Sequence, residues 1–490
     1  MKKRTKILAT LGPASDSQAS IEALIMAGVN VFRLNFSHGT HEYHSEVLKR
    51  IRIAIEKTGM ITGILQDISG PKIRVGMLEE DFLLKEGDTI EFFRDEIVGK
   101  KVSESHYQTS INQPSILAQL NSEEKIYLYD GIIRTRVVGH TENGVKVIVE
   151  NHGKLSSRKG VNFPNTRLGI DVITPKDKKD MLWGIENDID FMAISFVQTG
   201  DDIREARQIL IDNLGEENSR IQLFAKIEKF DAIENIDDIL EVSDGLMVAR
   251  GDLGIEVPFH EVPPLQKMLI KKANAASKPV ITATQMMLSM TENETATRAE
   301  ISDVANAVLD GTDVVMLSEE SAMGKHPILV VETMTQTIQA AEKHYPFNRF
   351  DFDTPKDATD SINESAVRLC EDADCWGMLA MTASGTSARK IARYRPRRDI
   401  YAITHHKKAA QLLTISWGIV PAFSIEKSSL GMMMSEVMAQ GIERHVLKLD
   451  KSYILTAGDP IGISGNTNMI RVLKQREMEF FRDLKEGNKK

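Results

Sequence analysis

The chain has 490 residues, of which 42% are hydrophobic and 27% charged, and its formal net charge is −9. This length exceeds what one hydrophobic core usually organises, so we expect about two to four domains. The composition is typical of a folded globular protein and excludes an intrinsically disordered one. The acidic balance argues against binding nucleic acid, whose phosphates select basic surfaces, but small anionic substrates still fit local basic pockets.

The N-terminal segment and the cysteines indicate the cellular setting. The basic start is followed by an apolar run that stops at Gly12 and Pro13, which is too short for a signal peptide or a membrane span. Cys370 and Cys375 are spaced neither as a close metal-binding pair nor as a disulfide framework, so we predict two reduced structural thiols. We therefore expect a cytoplasmic protein that does not bind membranes.

Apolar runs alternate with amphipathic stretches at both ends of a β-rich segment. Before Pro71 the pattern predicts strands over 5–10, 31–35 and 63–67, with helices over 17–27 and 41–57. After residue 174 it predicts strands over 191–197, 221–228, 245–252, 279–285 and 313–320, and helices over 175–187, 201–213, 231–241, 297–310 and 326–343. Eight strands that alternate with helices predict a closed TIM barrel formed by residues 1–72 and 169–347.

The two remaining segments have sequence patterns that differ from each other. Residues 73–168 contain short β-branched runs punctuated by glycine, which predict an inserted small β-barrel domain. A polar, proline-containing stretch at 349–360 then leads to residues 355–490, where strands and helices again alternate and predict an open α/β domain. The charged tail after Val472 is predicted to be a frayed or surface helix. The predicted fold class is therefore α/β.

Polar residues fall late in the predicted barrel strands, at the end where TIM barrels carry their catalytic groups. They are Arg33, Asn35, Asp67, Lys226, Glu228, Arg250, Asp252, Thr284 and Ser318. Glu228 and Asp252 end neighbouring strands and are predicted to give two oxygen ligands to Mg²⁺. Taken alone, Lys226 and Glu228 fit a structural ion pair equally well.

Eight segments, in this order, resemble motifs of the pyruvate kinase family, and the resemblance spans almost the whole chain. They are TKILATLGPAS, VFRLNFSHG, GPKIR, AKIE, MVARGDLG, ITATQM, TRAEISDVANAVLDGTD and MLS. The resemblance implies a barrel domain, a lid and a regulatory domain with the boundaries given above. It implies transfer of a phosphoryl group from phosphoenolpyruvate to ADP in glycolysis, giving pyruvate and ATP with Mg²⁺ or Mn²⁺. It also implies a homotetramer with a phosphorylated allosteric activator.

The resemblance assigns roles to the barrel residues. Lys226 stabilises the phosphoryl group in flight, and positioned positive charge is what a loose phosphoryl-transfer transition state needs. Arg33 contacts the phosphoryl group, for which a barrel-rim ion pair is the alternative. Thr284 helps a proton reach carbon 3 of the enolate, a role that depends wholly on the motif. Gly251 and Asp252 approach the substrate, and Glu228 and Asp252 hold the metal.

Nucleotide binding is likewise implied by the resemblance rather than by spacing. The residues that match are Asn35, Phe36, Ser37, His38, Arg74, Asp130 and Lys159. The inserted domain would close over the nucleotide and exclude water from the phosphoryl group.

The segment after the third strand departs from the family pattern. Many members have Asp-Thr-Lys-Gly-Pro-Glu and hold K⁺ with Asn, Ser, Asp and Thr, whereas this chain has Asp67-Ile-Ser-Gly-Pro-Lys72. The ammonium group of Lys72 is predicted to replace the monovalent cation, so K⁺ is not required. Asn35, Ser37 and Asp67 are retained, which leaves a vestigial cation site as the alternative.

A hydroxyl-rich loop in the C-terminal domain resembles the family's activator site. It comprises Thr382, Ser384, Gly385, Thr386 and Ser387 at the start of a predicted helix. Such a loop binds phosphate through hydroxyl and backbone N–H groups, although an ordinary N-cap cluster has the same composition. The choice of effector depends on the later loop at 457–468.

Two other functions compete with this assignment. A metal-dependent aldolase or lyase acting on pyruvate enolate would share the barrel, the carboxylates and an arginine, but it would need neither the insertion nor Lys226. A catalytically inactive sensor would keep the phosphate-binding C-terminal domain as a ligand-binding module. The intact set of Arg33, Lys226, Glu228, Asp252 and Thr284 argues against the sensor.

Overall fold

A computed structural model describes residues 3–164, 166–216, 220–352, 357–404, 406–425, 429–458 and 467–487. Within these ranges the chain forms a closed eight-stranded parallel barrel, a β insertion and a C-terminal five-stranded sheet with helices. The predicted α/β class and TIM barrel are therefore confirmed. No described helix is long and apolar enough to cross a membrane.

The barrel begins with three strands separated by two helices. They are β1 (Lys6–Thr10), α1 (Gln18–Ala27), β2 (Val31–Asn35), α2 (His41–Thr58) and β3 (Gly63–Asp67). Each helix starts at a hydroxyl N-cap, because the Oγ atom of Ser17 accepts from Ser20 N and that of Thr40 accepts from Tyr43 N. The predicted bounds of this segment agree with the structure to within one residue.

The strands of the β insertion surround an apolar core that is formed by residues of the insertion itself. Its strands are β4 (Phe82–Leu84), β5 (Thr89–Phe93), β6 (Lys100–Ser103), β7 (His106–Ser110), β8 (Lys125–Leu128), β9 (Ile133–His140), β10 (Gly144–Val149), β11 (Gly153–Leu155) and β12 (Val161–Asn162). Seven of them form one sheet, and β4 pairs with β11 in a two-stranded ribbon. Half-buried and buried residues alternate along β5, which is why the sequence of this segment predicts a strand.

The barrel then resumes and closes. Its remaining elements are α3 (Pro175–Glu186), β13 (Phe191–Ile194), α4 (Gly200–Leu214), β14 (Gln222–Ile227), α5 (Phe230–Glu234), α6 (Ile236–Val242), β15 (Gly245–Ala249), α7 (Arg250–Glu256), α8 (Val262–Ala275), β16 (Val280–Ala283), α9 (Arg298–Asp310), β17 (Val314–Leu317), α10 (Glu319–Ala322) and α11 (Pro327–Glu342). Around the barrel the order is β1, β17, β16, β15, β14, β13, β3 and β2. All eight C-terminal ends therefore meet at one rim.

The predicted strands 191–197, 279–285 and 313–320 end early, at Ile194, Ala283 and Leu317. Two further predicted elements differ from the structure. The predicted helix 231–241 is divided at Asn235 into α5 and α6. The predicted strand 245–252 ends at Ala249, because the chain turns at the rim and Arg250 begins α7. The second difference matters for the site, since it places Gly251 and Asp252 in the first turn of a helix rather than in the barrel wall.

The C-terminal unit is a sheet of order β20, β19, β18, β21 and β22 flanked by helices. Its elements are α12 (Ala358–Asp372), β18 (Gly377–Met381), α13 (Thr386–Ala392), β19 (Asp399–Thr404), α14 (Lys407–Leu412), β20 (Ile419–Ser424), α15 (Leu430–Glu443), β21 (Tyr453–Ala457), β22 (Met469–Leu473) and α16 (Gln475–Gly487). The antiparallel edge strand β22 is absent from the prediction. The charged tail forms α16, which docks through buried Met478 and Phe481. Cys370 and Cys375 are buried and free.

Candidate active site

Charged side chains from three strand ends meet at the barrel rim around Asp67. Arg33 Nε lies 2.7 Å from Asp67 Oδ2, and Lys226 Nζ lies 3.1 Å from Asp67 Oδ1. The guanidinium group of Arg33 also donates to Thr10 Oγ1 at 3.0 Å. Burial alone would raise the pKa of Asp67, but Arg33 and Lys226 outweigh it and hold this pKa below its usual value. Asp67 therefore carries a negative charge that fixes two cations at the rim.

Lys226 lies among acidic and hydroxyl groups. Its Nζ atom lies 2.9 Å from Glu228 Oε1 and donates to Ser195 Oγ at 2.7 Å. Burial opposes the charged ammonium group, yet Asp67 and Glu228 more than compensate and raise the pKa of Lys226. The lysine is thus held as a cation at a fixed position, and its side chain is only 11% exposed.

Glu228 and Asp252 are the carboxylates available to a metal ion. Glu228 Oε2 accepts from the backbone N–H of Phe196 at 2.7 Å. Burial raises the pKa of Glu228 despite the nearby Lys226, and the negative charge of Asp252 raises it further. A divalent cation would relieve this repulsion, so the oxygen donors fit Mg²⁺. Among the described residues no group of three or more acidic, histidine or cysteine side chains forms a metal site, so such an ion would complete its coordination with water and substrate.

Thr284 and Gly251 contact each other on the other side of the rim. Gly251 N donates to Thr284 Oγ1 at 2.8 Å, which ties the first turn of α7 to the end of β16. Thr284 and the following Gln285 have positive φ angles of 68° and 54°. The strained backbone points to a functional constraint, because such conformations cluster at active sites.

A cleft of about 1390 Å³, including its open mouth, separates the rim from the β insertion. Its walls include Lys72 and Asp130 on the insertion side, with Asp252, Thr284 and Ser318 on the barrel side. Ser318 N donates to the buried Glu320 at 2.7 Å, so the strand end is fixed as well. The cleft is large enough for two small anionic substrates.

Of the residues matched to nucleotide binding, only Asp130 is among the described residues that line this cleft. The Phe36 ring is buried and stacks on His44 with centroids 4.1 Å apart, whereas Ser37 and His38 are exposed. Ser37 N donates to Asn35 Oδ1 at 3.1 Å.

On the insertion, Lys159 Nζ lies 4.1 Å from the ring centroid of Tyr129. Tyr129 and Asp130 both have positive φ, at 52° and 53°, so this turn is tightly constrained. Arg74 donates to the backbone oxygen of Arg158 at 3.0 Å.

Lys72 projects into the cleft beside Asp130 and Asp252. Its ammonium group forms no ion pair with any residue that the structure describes. Both carboxylate oxygens of Asp67 are already engaged by Arg33 and Lys226. Of the three groups predicted for a vestigial cation site, Asp67 is therefore neutralised by side chains of the protein itself.

Sequence reasoning missed Ser195 and the side-chain role of Arg250. Ser195 Oγ donates to Ile68 O at 2.7 Å and accepts from Lys226, so it fixes the ammonium group. Ser195 falls late in the predicted strand 191–197, which is the same signal that identified the other rim residues. Arg250 was recognised as a rim residue, but its contacts with Thr284 have no signature in the sequence.

The hydroxyl-rich loop of the C-terminal unit is held by its own contacts. Gly385 N donates to Thr382 Oγ1 at 2.9 Å, and Ser384 Oγ lies 3.0 Å from Thr386 Oγ1. Thr467 Oγ1 donates to Ser387 Oγ at 2.8 Å. Most of the later loop at 457–468 lies outside the described residues.

Residues 2–331 match the family model "Pyruvate kinase, barrel domain", and residues 360–473 match "Pyruvate kinase, alpha/beta domain". The chain is 40% identical to the pyruvate kinase of Geobacillus stearothermophilus over 479 residues, covering 96% of this chain and 80% of that protein. It is 39% identical to the pyruvate kinase of Staphylococcus aureus strain USA300 over 477 residues, with the same coverage. Together with the charged rim of the barrel, these matches establish that the chain belongs to the pyruvate kinase family and is a phosphotransferase acting on phosphoenolpyruvate and ADP.

Proposed function

We propose that the barrel rim transfers the phosphoryl group of phosphoenolpyruvate to ADP in glycolysis, with Arg33 and Lys226 as the cations that bind and stabilise it. The observation that carries this proposal is the placement of both cations against Asp67, at 2.7 and 3.1 Å. This shared, buried carboxylate keeps the two positive charges close to each other. Preorganised positive charge of this kind stabilises phosphoryl transfer more than any covalent contribution from the protein.

Glu228 and Asp252 would hold Mg²⁺ or Mn²⁺ beside these cations. The metal would neutralise phosphate oxygens and orient the substrate at the rim. The raised pKa of Glu228, caused by burial and by Asp252, supports the assignment because a cation would remove an unfavourable charge arrangement. Gly251 would present its backbone to the substrate carboxylate, and Thr284 would assist protonation of carbon 3.

The β insertion, residues 73–168, would act as the lid over the nucleotide. Asn35, Phe36, Ser37 and His38 would contact the nucleotide from the barrel. Arg74, Asp130 and Lys159 would contact it from the insertion. The cleft between the two surfaces supports this assignment, since closing it would remove water that competes for the phosphoryl group.

K⁺ is proposed to be unnecessary. The ammonium group of Lys72 lines the cleft beside Asp130 and Asp252, where it would add a positive charge near the substrates. Asp67, which would otherwise be a ligand of the monovalent cation, is engaged by Arg33 and Lys226.

Regulation and assembly complete the proposal. The C-terminal unit, residues 355–490, would bind a phosphorylated activator at Thr382, Ser384, Gly385, Thr386 and Ser387. A homotetramer would transmit this binding to the barrel of residues 1–72 and 169–347. Two free, buried cysteines are consistent with the reducing cytoplasm.

The test is pyruvate formation from phosphoenolpyruvate and ADP with Mg²⁺, measured with and without K⁺. We expect activity in the unaltered chain that is independent of K⁺. Lys226→Met should lose about 10³-fold or more in kcat, because the main cation at the transferred group is removed. Lys179→Met changes an exposed lysine on α3 and serves as the matched control. Full activity of Lys226→Met would refute the proposed mechanism.

A further inference from the structure

The end of β16 has a conformation that its own residues disfavour. Thr284 is β-branched, yet its φ is 68°, and Gln285 follows with a φ of 54°. Left-handed backbone is rare for a β-branched residue, because its branched Cβ crowds the backbone. Two consecutive residues of this kind persist only where surrounding groups hold them.

The side chain of Arg250 is the group that holds this segment. Its Nε atom donates to Ala283 O at 3.1 Å, and its Nη2 atom donates to Thr284 O at 2.7 Å. The two carbonyl groups are those of Thr284 and of the residue before it, and the planar guanidinium spans both. Nη2 also lies 2.8 Å from Sδ of Met286, which follows Gln285 in the same loop.

The opposite side of the guanidinium is anchored from two helices. Nη1 donates to Asp303 Oδ1 on α9 at 2.7 Å and to Gln266 Oε1 on α8 at 3.2 Å. The Arg250 side chain is 14% exposed, and that of Asp303 is 33% exposed. Its three nitrogen atoms are all in use, so the fork cannot rotate without losing a partner.

Arg250 also determines where Gly251 lies, because it is the first residue of α7. Gly251 N donates to Thr284 Oγ1 at 2.8 Å, and Thr284 Oγ1 donates to Ala283 O at 2.7 Å. Two consecutive residues thus hold the threonine from two directions. The side chain of Arg250 holds the threonine backbone, and the backbone N–H group of the next residue, Gly251, donates to the threonine hydroxyl.

We propose that Arg250, anchored by Asp303, is a positioning residue that aims the Thr284 hydroxyl for the protonation of the enolate. In that step a C–H bond forms at carbon 3, the proton comes from a water molecule that Thr284 orders, and solvent restores the proton to that water. The inference rests on the proposed function of Thr284. It predicts that Arg250 affects protonation more than phosphoryl transfer, since it does not itself touch the phosphoryl group's cations Arg33 and Lys226.

The experiment separates these two steps in the intact enzyme. Protonation is followed, in reverse, by proton NMR as exchange of the pyruvate methyl hydrogens with D₂O in the presence of ATP and Mg²⁺. Phosphoryl transfer is followed as ATP formation from phosphoenolpyruvate and ADP. Arg250→Lys keeps the charge but cannot span two carbonyl groups and a carboxylate. We expect exchange to fall about tenfold or more, while ATP formation, the KM values and the Mg²⁺ requirement change less than about threefold.

Two further variants make every outcome decisive. Asp303→Asn removes the anchor and leaves Arg250 in place, and it should show a smaller loss confined to exchange, even if Arg250→Lys does not fold. Thr284→Val should abolish most exchange, and adding Arg250→Lys to it should cause no further loss.

Equal losses in exchange and ATP formation, or a raised Mg²⁺ requirement, would overturn the inference, because Arg250 would then act through α7 and Asp252. If Arg250→Lys and Asp303→Asn exchange normally while Thr284→Val does not, the role proposed for Arg250 is overturned and the role proposed for Thr284 stands. Normal exchange in Thr284→Val would instead remove the proposed role of Thr284.

Discussion

The Nζ atom of Lys226 lies 2.9 Å from Oε1 of Glu228, so the proposed catalytic cation forms an ion pair with a carboxylate that is proposed to bind the metal. The second oxygen of Glu228 accepts from Phe196 N at 2.7 Å. The carboxylate is therefore held in place before any metal arrives. A divalent ion at Glu228 would leave Lys226 with Asp67, 3.1 Å away, as its remaining carboxylate partner, and the ammonium group would then be free to turn toward the phosphoryl group.

Replacing Glu228 by glutamine tests this arrangement. We expect Glu228→Gln to raise the Mn²⁺ concentration for half-maximal activity about 10- to 100-fold, because one of two anionic ligands becomes neutral. Direct Mn²⁺ binding, measured by the loss of the free-ion EPR signal, should weaken in parallel. Glu234→Gln alters an accessible glutamate on α5 that pairs with Arg167 and should change neither value. An unchanged Mn²⁺ requirement in Glu228→Gln would mean that the metal binds elsewhere.

Lys72 provides the second prediction. The substitution Lys72→Glu removes the ammonium group of the lysine and places a carboxylate in the cleft beside Asp130 and Asp252. We expect activity to become dependent on K⁺, rising about tenfold or more when K⁺ is added, because a bound cation must now supply the missing charge.

The assay compares initial rates in K⁺ and in tetramethylammonium salts at equal ionic strength. Lys72→Met is the matched variant, since it removes the charge without adding a negative one, and it should be intermediate. If the unaltered enzyme had no activity without K⁺, this result would contradict the role proposed for Lys72.

Much of the fold follows from the sequence because the barrel strands are apolar runs bounded by capped helices. The capping box at Thr174, for example, involves Asp177 and fixes the start of α3 at the predicted residue. The rim residues also follow, since parallel strands in a closed barrel bring their C-terminal ends together. Contacts between distant segments do not follow. The support of Thr284 by Arg250 depends on the turn at Ala249, and the edge strand β22 depends on pairing with β21.

A buried ion pair beneath the insertion gives the third prediction. Lys229 Nζ lies 3.3 Å from Glu256 Oε2, and the two side chains are 7% and 4% exposed. Asn162, in the last strand of the insertion, donates to the other oxygen of Glu256 at 3.5 Å. The pair joins the residue after Glu228 to the end of α7, and the contact with Asn162 joins both to the insertion.

Lys229→Met should lower the free energy of unfolding by about 3 kcal/mol, because a buried carboxylate loses its cation. Burial already raises the pKa of Glu256 despite Lys229, so removing Lys229 should raise it further. We also expect a higher KM for ADP, since the insertion loses a fixed contact with the barrel. The double variant Lys229→Met/Glu256→Gln removes both charges and should recover most of the stability in urea unfolding. A double variant no more stable than Lys229→Met would argue against the ion pair as the source of the loss.

Glu300 provides a prediction with a defined pH dependence. Its Oε2 atom accepts from Thr297 N at 2.7 Å in the capping box of α9, and its Oε1 atom accepts from Ser289 N at 2.7 Å. The carboxylate thus joins the helix start to the short helical turn Leu288–Thr291 that follows the Thr284 loop. Partial burial alone would raise the pKa of Glu300, but the hydrogen bonds from Ser289 and Thr297 outweigh it and lower the pKa below 4.5.

A lowered pKa in the folded state means that ionised Glu300 stabilises the protein above pH 4.5 and that this contribution is lost as the pH falls through the folded-state value. We therefore expect Glu300→Gln to lower the free energy of unfolding by about 1 kcal/mol at pH 7. The difference between the two proteins should shrink steadily as the pH is lowered from 4.5. Urea unfolding midpoints at several pH values measure it. Glu332→Gln, an exposed change on α11, should leave the midpoint unaltered at each pH. A loss in Glu300→Gln that stays constant down to the acid limit would show that the amide fails for steric reasons and that the charge has no part in the cap.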